Sequence, residues 1–245
     1  MPADEELYLP VLVGATQNYR EGINYQRDDE GENISDKNPY YNELTAMYWA
    51  WKNLDDVDAV GLVHYRRYFI KSKNAKLNNV LETKDIEKLF KACDVIVPQK
   101  RNYYIETNYS HYVHAHVEEP IDLVRRIIQK SYPCYLPSFE AVMKKRSAHM
   151  FNMFVMKKDV FNQYCKWLFD ILFQLEESLD ISAYSIQEAR VFGYISELLL
   201  DVWLKQNQID FVEAKWGQIG NKHMVRKVIS FLLRKVSLGS KKTHF

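Results

Sequence analysis

Glu43-Leu-Thr-Ala-Met-Tyr-Trp-Ala-Trp-Lys-Asn53, followed after five residues by Ala59-Val-Gly-Leu-Val-His-Tyr-Arg-Arg-Tyr-Phe69, joins a helical pattern to a short apolar run that ends in charge. Leu44, Met47, Tyr48 and Trp51 recur at helical spacing, so the first half reads as an amphipathic helix. Ala59 to Val63 is short, apolar and uncharged, which reads as a buried strand running parallel to its neighbours. His64, Tyr65, Arg66 and Arg67 then arrive together at the carboxyl end of that strand, where open α/β sheets hold their ligands. Guanidinium is permanently charged and grips phosphate oxygens two at a time, so an arginine pair there suits a diphosphate. If the chain stays extended, His64 and Arg66 face one way and Tyr65 and Arg67 the other. The competing reading is a strand end whose charges are simply solvated.

Working outward, 245 residues with 47% hydrophobic composition can bury one sizeable core, and a single α/β domain is expected. The chain has no apolar run long enough to span a bilayer, and its acidic opening Met1-Pro-Ala-Asp-Glu-Glu6 is unlike a secretory signal. Cys93, Cys134 and Cys165 are scattered without metal-binding spacing, which fits a reducing cytoplasm and small buried hydrophobes. The net charge of +1 hides an asymmetry: residues 221–245 carry seven Lys or Arg and no acid, leaving 26 basic against 32 acidic residues before them, a net of −6. Within that tail, 224–236 alternates apolar and basic residues as a helix lying on an anionic membrane surface does; a terminal helix docked on the domain reads equally well. Nucleic acid is not expected as a partner, because the body is acidic and no recognition motif accompanies the tail.

The remaining segments supply the α/β rhythm. Leu7 to Val13 reads as a strand interrupted by Pro10, at an edge or bend. The polar connection 14–38 contains Asp28 and Asp29, which suit hydroxyls or a metal, or a turn beside Gly31. Helices are expected over 83–92, 118–130, 139–146, 159–179 and from about 185 to 205, the last opened by a Ser185-x-x-Glu188 capping box. Strands are expected over 94–98, 150–156 and 209–213. Asn152, alone among apolar residues, satisfies a backbone group or touches ligand. Residues 99–116 read as a loop rich in Tyr, Asn and His, with Tyr109, His111 and His114 placed to hold a substrate. A zinc site there lacks a fourth ligand at a recognised spacing. Arg190, Gly193 and Glu197 fall on one helical face, and Glu197 among leucines reads as a general base or as the partner of a buried arginine.

Five ordered blocks together resemble a domain-of-unknown-function family found among bacterial capsular and exopolysaccharide glycosyltransferases: Asp28-Asp29 with Gly31 to Ser35; Asn38-Pro39 with Tyr41, Glu43 to Thr45 and Tyr48 to Asn53; Gly61 to Phe69; Phe151 to Met156; and Arg190, Gly193 and Glu197. The resemblance spans about residues 7 to 215. It implies a single GT-A-like, Rossmann-like nucleotide-diphospho-sugar transferase domain over 1–220, with a mixed central sheet and a helical C-terminal part, and 221–245 as a basic amphipathic tail. It implies a nucleotide-sugar donor, UDP-galactofuranose or another UDP-hexose, and a lipid-linked glycan acceptor, with the protein cytoplasmic and peripheral on the inner face of the plasma membrane. In that frame Glu197, Asp29 and His64 are the candidate catalytic residues. Arg66, Arg67, Tyr65, Asp28, Asn33, Arg190 and Asn152 bind the donor, and Tyr109, His111 and His114 the acceptor. No metal ligand is assigned: a divalent Mn or Mg suits such folds, but the usual Asp-x-Asp is not evident, and Arg66 and Arg67 are expected to neutralise the leaving diphosphate instead. The family's first strand, with a His-Lys pair, has no counterpart here. The alternative is therefore a non-catalytic, degenerate module that binds polysaccharide or a partner enzyme.

Overall fold

The computed structural model describes residues 2–220. The basic tail at 221–245, including the amphipathic segment 224–236, lies outside the described residues. Ten strands occur in chain order: β1 Val11–Leu12, β2 Gln26–Arg27, β3 Ala59–Leu62, β4 Arg67–Phe69, β5 Val95–Pro98, β6 Arg101–Asn102, β7 Ser147–Ala148, β8 Phe154–Lys157, β9 Val212–Ala214 and β10 Trp216–Gln218. The α-helices are α1 Ala15–Asn18, α2 Asn38–Tyr41, α3 Leu44–Asn53, α4 Thr83–Phe90, α5 Asn108–Ala115, α6 Glu119–Ser131, α7 Leu136–Met143, α8 Lys158–Ser178 and α9 Val191–Gln206.

The central sheet is mixed, in the order β3-β8-β5-β9. β8 runs antiparallel to both β3 and β5, and β5 and β9 are parallel. β3 is thus an antiparallel edge strand, not the parallel one its apolar run predicts. β3 is covered on one face only, with Val60 and Leu62 against the main helical core and Gly61 exposed, so its apolar run carries no record of strand direction. β5 is buried on both faces: Val95 and Val97 pack into the main helical core while Ile96 faces a second cluster with Phe69, Leu81 and Ile86. β8 divides the same way, Phe154 and Met156 against Val155. The helical layer of α3 and α6 to α9 closes over the first face, and α8 and α9 are its buried spine.

Three sequence expectations shift. Residues 150–153 form a turn rather than the start of a strand, with Phe151 and Asn152 both at positive φ (77° and 52°). The 99–116 segment is not a loop: it forms β6 and then α5, capped by reciprocal bonds between Thr107 and Ser110. His64 to Arg67 is not extended, because the two residues exchange backbone hydrogen bonds (3.0 and 3.1 Å) and close a tight hairpin into β4. Of the cysteines, only Cys165 is a buried hydrophobe, and Cys134 is exposed.

The long polar connection is anchored by one carboxylate. Asp28 is fully buried and accepts from Gly14 N (2.8 Å), Ala15 N (2.9 Å), Ser35 Oγ (2.5 Å) and Thr45 Oγ1 (2.6 Å). It therefore ties the start of α1, the 26–35 turn and the start of α3 together. Asp28→Ala strands four donors in a site closed to water, and we expect a loss of roughly 3 kcal/mol or more in denaturant unfolding. An unchanged unfolding midpoint would show that this anchor is dispensable.

Candidate functional site

The site is built around the Phe151–Asn152 turn at the carboxyl end of β3. Two successive non-glycine residues in the left-handed region cost on the order of 1–2 kcal/mol each, so neighbouring contacts must hold them. Those contacts are specific. His64 Nε2 lies 2.5 Å from the Phe151 carbonyl oxygen. A carbonyl only accepts, so Nε2 carries the proton and Nδ1 is left as the ring's acceptor atom. The Arg67 guanidinium sits 4.4 Å over the Phe151 ring, which also packs edge-on against Trp216. Asn152, only 4% exposed, donates to Glu43 Oε1 (2.7 Å) and the Gly193 carbonyl (3.2 Å) and accepts from Ser196 Oγ (2.9 Å).

α9 brings Glu197 to this turn. Glu197 is half-buried and accepts a hydrogen bond from the Phe151 backbone N–H. Desolvation and then the nearby Glu43 charge push its carboxyl up to about 8, against the opposing pull of that N–H and of the Arg67 and Arg101 guanidiniums. Gly193, one turn earlier, leaves room for Asn42: a Cβ at 193 would stand 2.5 Å from Asn42 Nδ2. Asn42 itself has a positive φ and accepts from Arg190 Nε (2.7 Å). The result is a cleft wall carrying two carboxylates, Glu43 and Glu197, with Arg67 and His64 across the turn.

The sequence-derived candidates therefore separate. His64, Arg67, Asn152, Arg190 and Glu197 come together. Tyr65 and Arg66 occupy the exposed tip of the same hairpin, with the Arg66 guanidinium 4.9 Å over the Tyr65 ring. Asn152 serves as a buried brace rather than an open contact. Asp28 is the internal anchor described above, and all its observed partners are protein groups. Asp29 is held in a bidentate pair by Arg27 (2.8 and 2.7 Å), and Asn33 folds back on the carbonyls of Asp29 and Gly31. Asp29 and Asn33 thus shape the 26–35 turn. His111 and His114 both bind Glu106 through Nδ1 (2.6 and 2.8 Å), and His111 stacks on Tyr103. Tyr109 donates to Glu118 (2.7 Å) and lines a cleft of about 740 Å³ between α5, α6 and α7. None of that cleft's lining residues belongs to the Glu197 cluster, so size alone does not mark the reactive site. Glu43, Asn42, Ser196 and Phe151 escaped the sequence reading. The one available signal was that Glu43 and Phe151 fall inside the ordered blocks.

Among the described residues, no three His, Cys, Asp or Glu side chains gather as a metal cage requires, and no step is routed through a metal below. No described helix is long and apolar enough to cross a membrane.

No curated protein matches the chain. Among solved structures, the chain is similar to the apo structure of WbbM, a bifunctional glycosyltransferase, with a TM-score of 0.75 and 32% sequence identity over 87% of this chain. It spans 42% of the length of that larger chain. The architecture is accordingly GT-A-like: a mixed central sheet with a helical layer. A family model matches residues 1–208, and the chain belongs to the family described as Domain of unknown function (DUF4422).

Proposed function

We propose that this domain is a glycosyltransferase that moves a sugar from a nucleotide-diphosphate donor, UDP-galactofuranose or another UDP-hexose, to a lipid-linked glycan in capsular or exopolysaccharide synthesis. The observation that carries the reading is the meeting of Arg67 and Glu197 on the Phe151–Asn152 turn, in a fold similar to a glycosyltransferase's. Arg67 and the exposed Arg66 neutralise charge that develops on the leaving diphosphate, as preorganised cations do. Glu197, ionised, accepts the proton of the attacking acceptor hydroxyl; the nearby arginines favour that ionised form. The new bond joins the acceptor oxygen to the anomeric carbon, and the bond to the diphosphate oxygen breaks. Glu43 is the second carboxylate of the wall and holds Glu197's proton affinity high enough for base catalysis near neutral pH.

Calorimetric titration with UDP and UDP-hexoses, with manganese and then with EDTA, tests the donor site. We expect binding that survives EDTA and weakens by roughly ten- to a hundredfold in Arg67→Ala, since hydrogen bonds to charged groups carry about 1.5–3 kcal/mol. Binding restored only by manganese counts against the arginine-based site.

Glu197→Gln tests the base. We expect kcat to fall by about 10²- to 10⁴-fold while UDP affinity holds. In the unsubstituted protein kcat/KM should rise with pH through about 8 as Glu197 ionises. The same group sets a stability signature. Between its ordinary value of 4.5 and about 8, folded Glu197 keeps a proton that the unfolded chain has released. The native state therefore binds more protons, and its contribution to stability falls as pH rises across that window. Glu197→Gln should melt like the parent below pH 4.5 and above it in temperature beyond pH 8. Parallel melting curves at every pH would mean that Glu197 is an ordinary surface carboxylate.

A further inference from the structure

Among the described residues, the four most exposed large apolar side chains are Ile186 (91%), Ile105 (86%), Tyr104 (81%) and Tyr65 (81%); the next, Leu9, is 53% exposed. Single exposed apolar residues are ordinary, but these four sit on three segments that are each hydrogen-bonded to the Phe151–Asn152 turn, to the residue before it, or to α9 one turn from Glu197. Tyr65 is at the tip of the hairpin whose His64 and Arg67 grip Phe151. Tyr104 and Ile105 follow Tyr103, whose hydroxyl donates to Met150 Sδ (2.9 Å), the residue before Phe151. Ile186 precedes Gln187, whose amide donates to the Tyr194 hydroxyl, three residues before Glu197 on α9. Three segments remote in sequence thus ring one mouth. Tyr104 is held at a φ of 62°, a conformation that returns no packing for its strain.

Basic groups accompany the Tyr65 and Tyr104 tips, while the Ile186 segment has Glu188 two residues on. Arg66 is exposed and lies over Tyr65. Lys144, Lys145 and Arg146 are exposed beside the Tyr104 loop, and Arg146 donates to the Tyr104 carbonyl (3.3 Å). Amphipathic rings and aliphatic tips with cations beside them are what the boundary between headgroups and acyl chains accepts. A glycan would use the tyrosines, but isoleucine offers a sugar neither a π face nor a hydrogen-bonding group, so the two isoleucines favour lipid.

We propose that this rim docks on an anionic bilayer surface, with Tyr65, Tyr104, Ile105 and Ile186 at the headgroup–acyl boundary and the cleft mouth facing the membrane. The inference deepens the transferase reading by saying how a lipid-linked acceptor reaches Glu197. It depends on that reading only for the identity of what enters the cleft.

The test is co-sedimentation of the intact chain with phosphatidylglycerol-containing vesicles at low salt and at roughly 0.5 M salt, where charge attraction is screened within about 4 Å but apolar insertion persists. In Ile105→Ser/Ile186→Ser the vesicle partition coefficient should drop about tenfold or more at both salts, with UDP affinity and melting temperature unchanged. An unchanged partition coefficient would falsify the rim as the docking surface. So would a double variant that keeps vesicles but loses a water-soluble oligosaccharide acceptor, since the rim would then be a glycan platform. If neither protein binds UDP and the variant still loses vesicles, the rim proposal stands and the transferase reading falls.

Discussion

Everything at the cleft depends on the left-handed turn Phe151–Asn152. Neither residue is glycine, so the backbone would relax if left alone. It is held because groups from three other parts of the chain bond to it. The Phe151 carbonyl is taken by His64, its N–H by Glu197, and the Asn152 amide by Glu43, Gly193 and Ser196. One short turn thereby fixes the relative positions of the β3–β4 hairpin, the start of α3 and the middle of α9. Its strain is localised where the chemistry is, and the surrounding core over-determines it.

The second constraint is electrostatic. Burial disfavours the charged form of Glu197, and the neighbouring Glu43 carboxylate adds to that. Arg67 and Arg101 offset this only in part. Such a balance raises the proton affinity of Glu197 without abolishing its ionisation, which is the condition a base working near neutral pH requires. The buried Asp28 shows the opposite design. Four donors converge on it, among them Thr45 at the start of α3, one turn from Asn42 and Glu43. It acts on the cleft only by holding that helix start in place.

The helices and the alternation of strand faces were legible because they are local. Val95-Ile96-Val97 announces a strand buried on both faces, and Ser185 and Glu188 exchange the bonds their spacing predicts, although α9 begins only at Val191, beyond them. The direction of β3 was not legible, since a short apolar run looks the same in parallel and antiparallel pairing. Asp28 and Asp29 could not be told apart either. A paired acid reads as a ligand until the partners of each oxygen are known, and here they are protein groups.

The chain's pattern alone marked which residues bring charged or polar groups next to apolar segments: Arg66 and Arg67 after an apolar strand, Glu197 among leucines, Asn152 inside an apolar run. Those are local facts about pattern and polarity. Only the tertiary structure decided that Arg67 turns inward while Arg66 stays at the tip, that Glu43 stands beside Glu197, and that Asp29 is spent on Arg27. The reason is physical: whether a polar side chain serves the fold or faces the cleft depends on which donors and acceptors reach it from elsewhere in the chain, and periodicity carries no record of those partners.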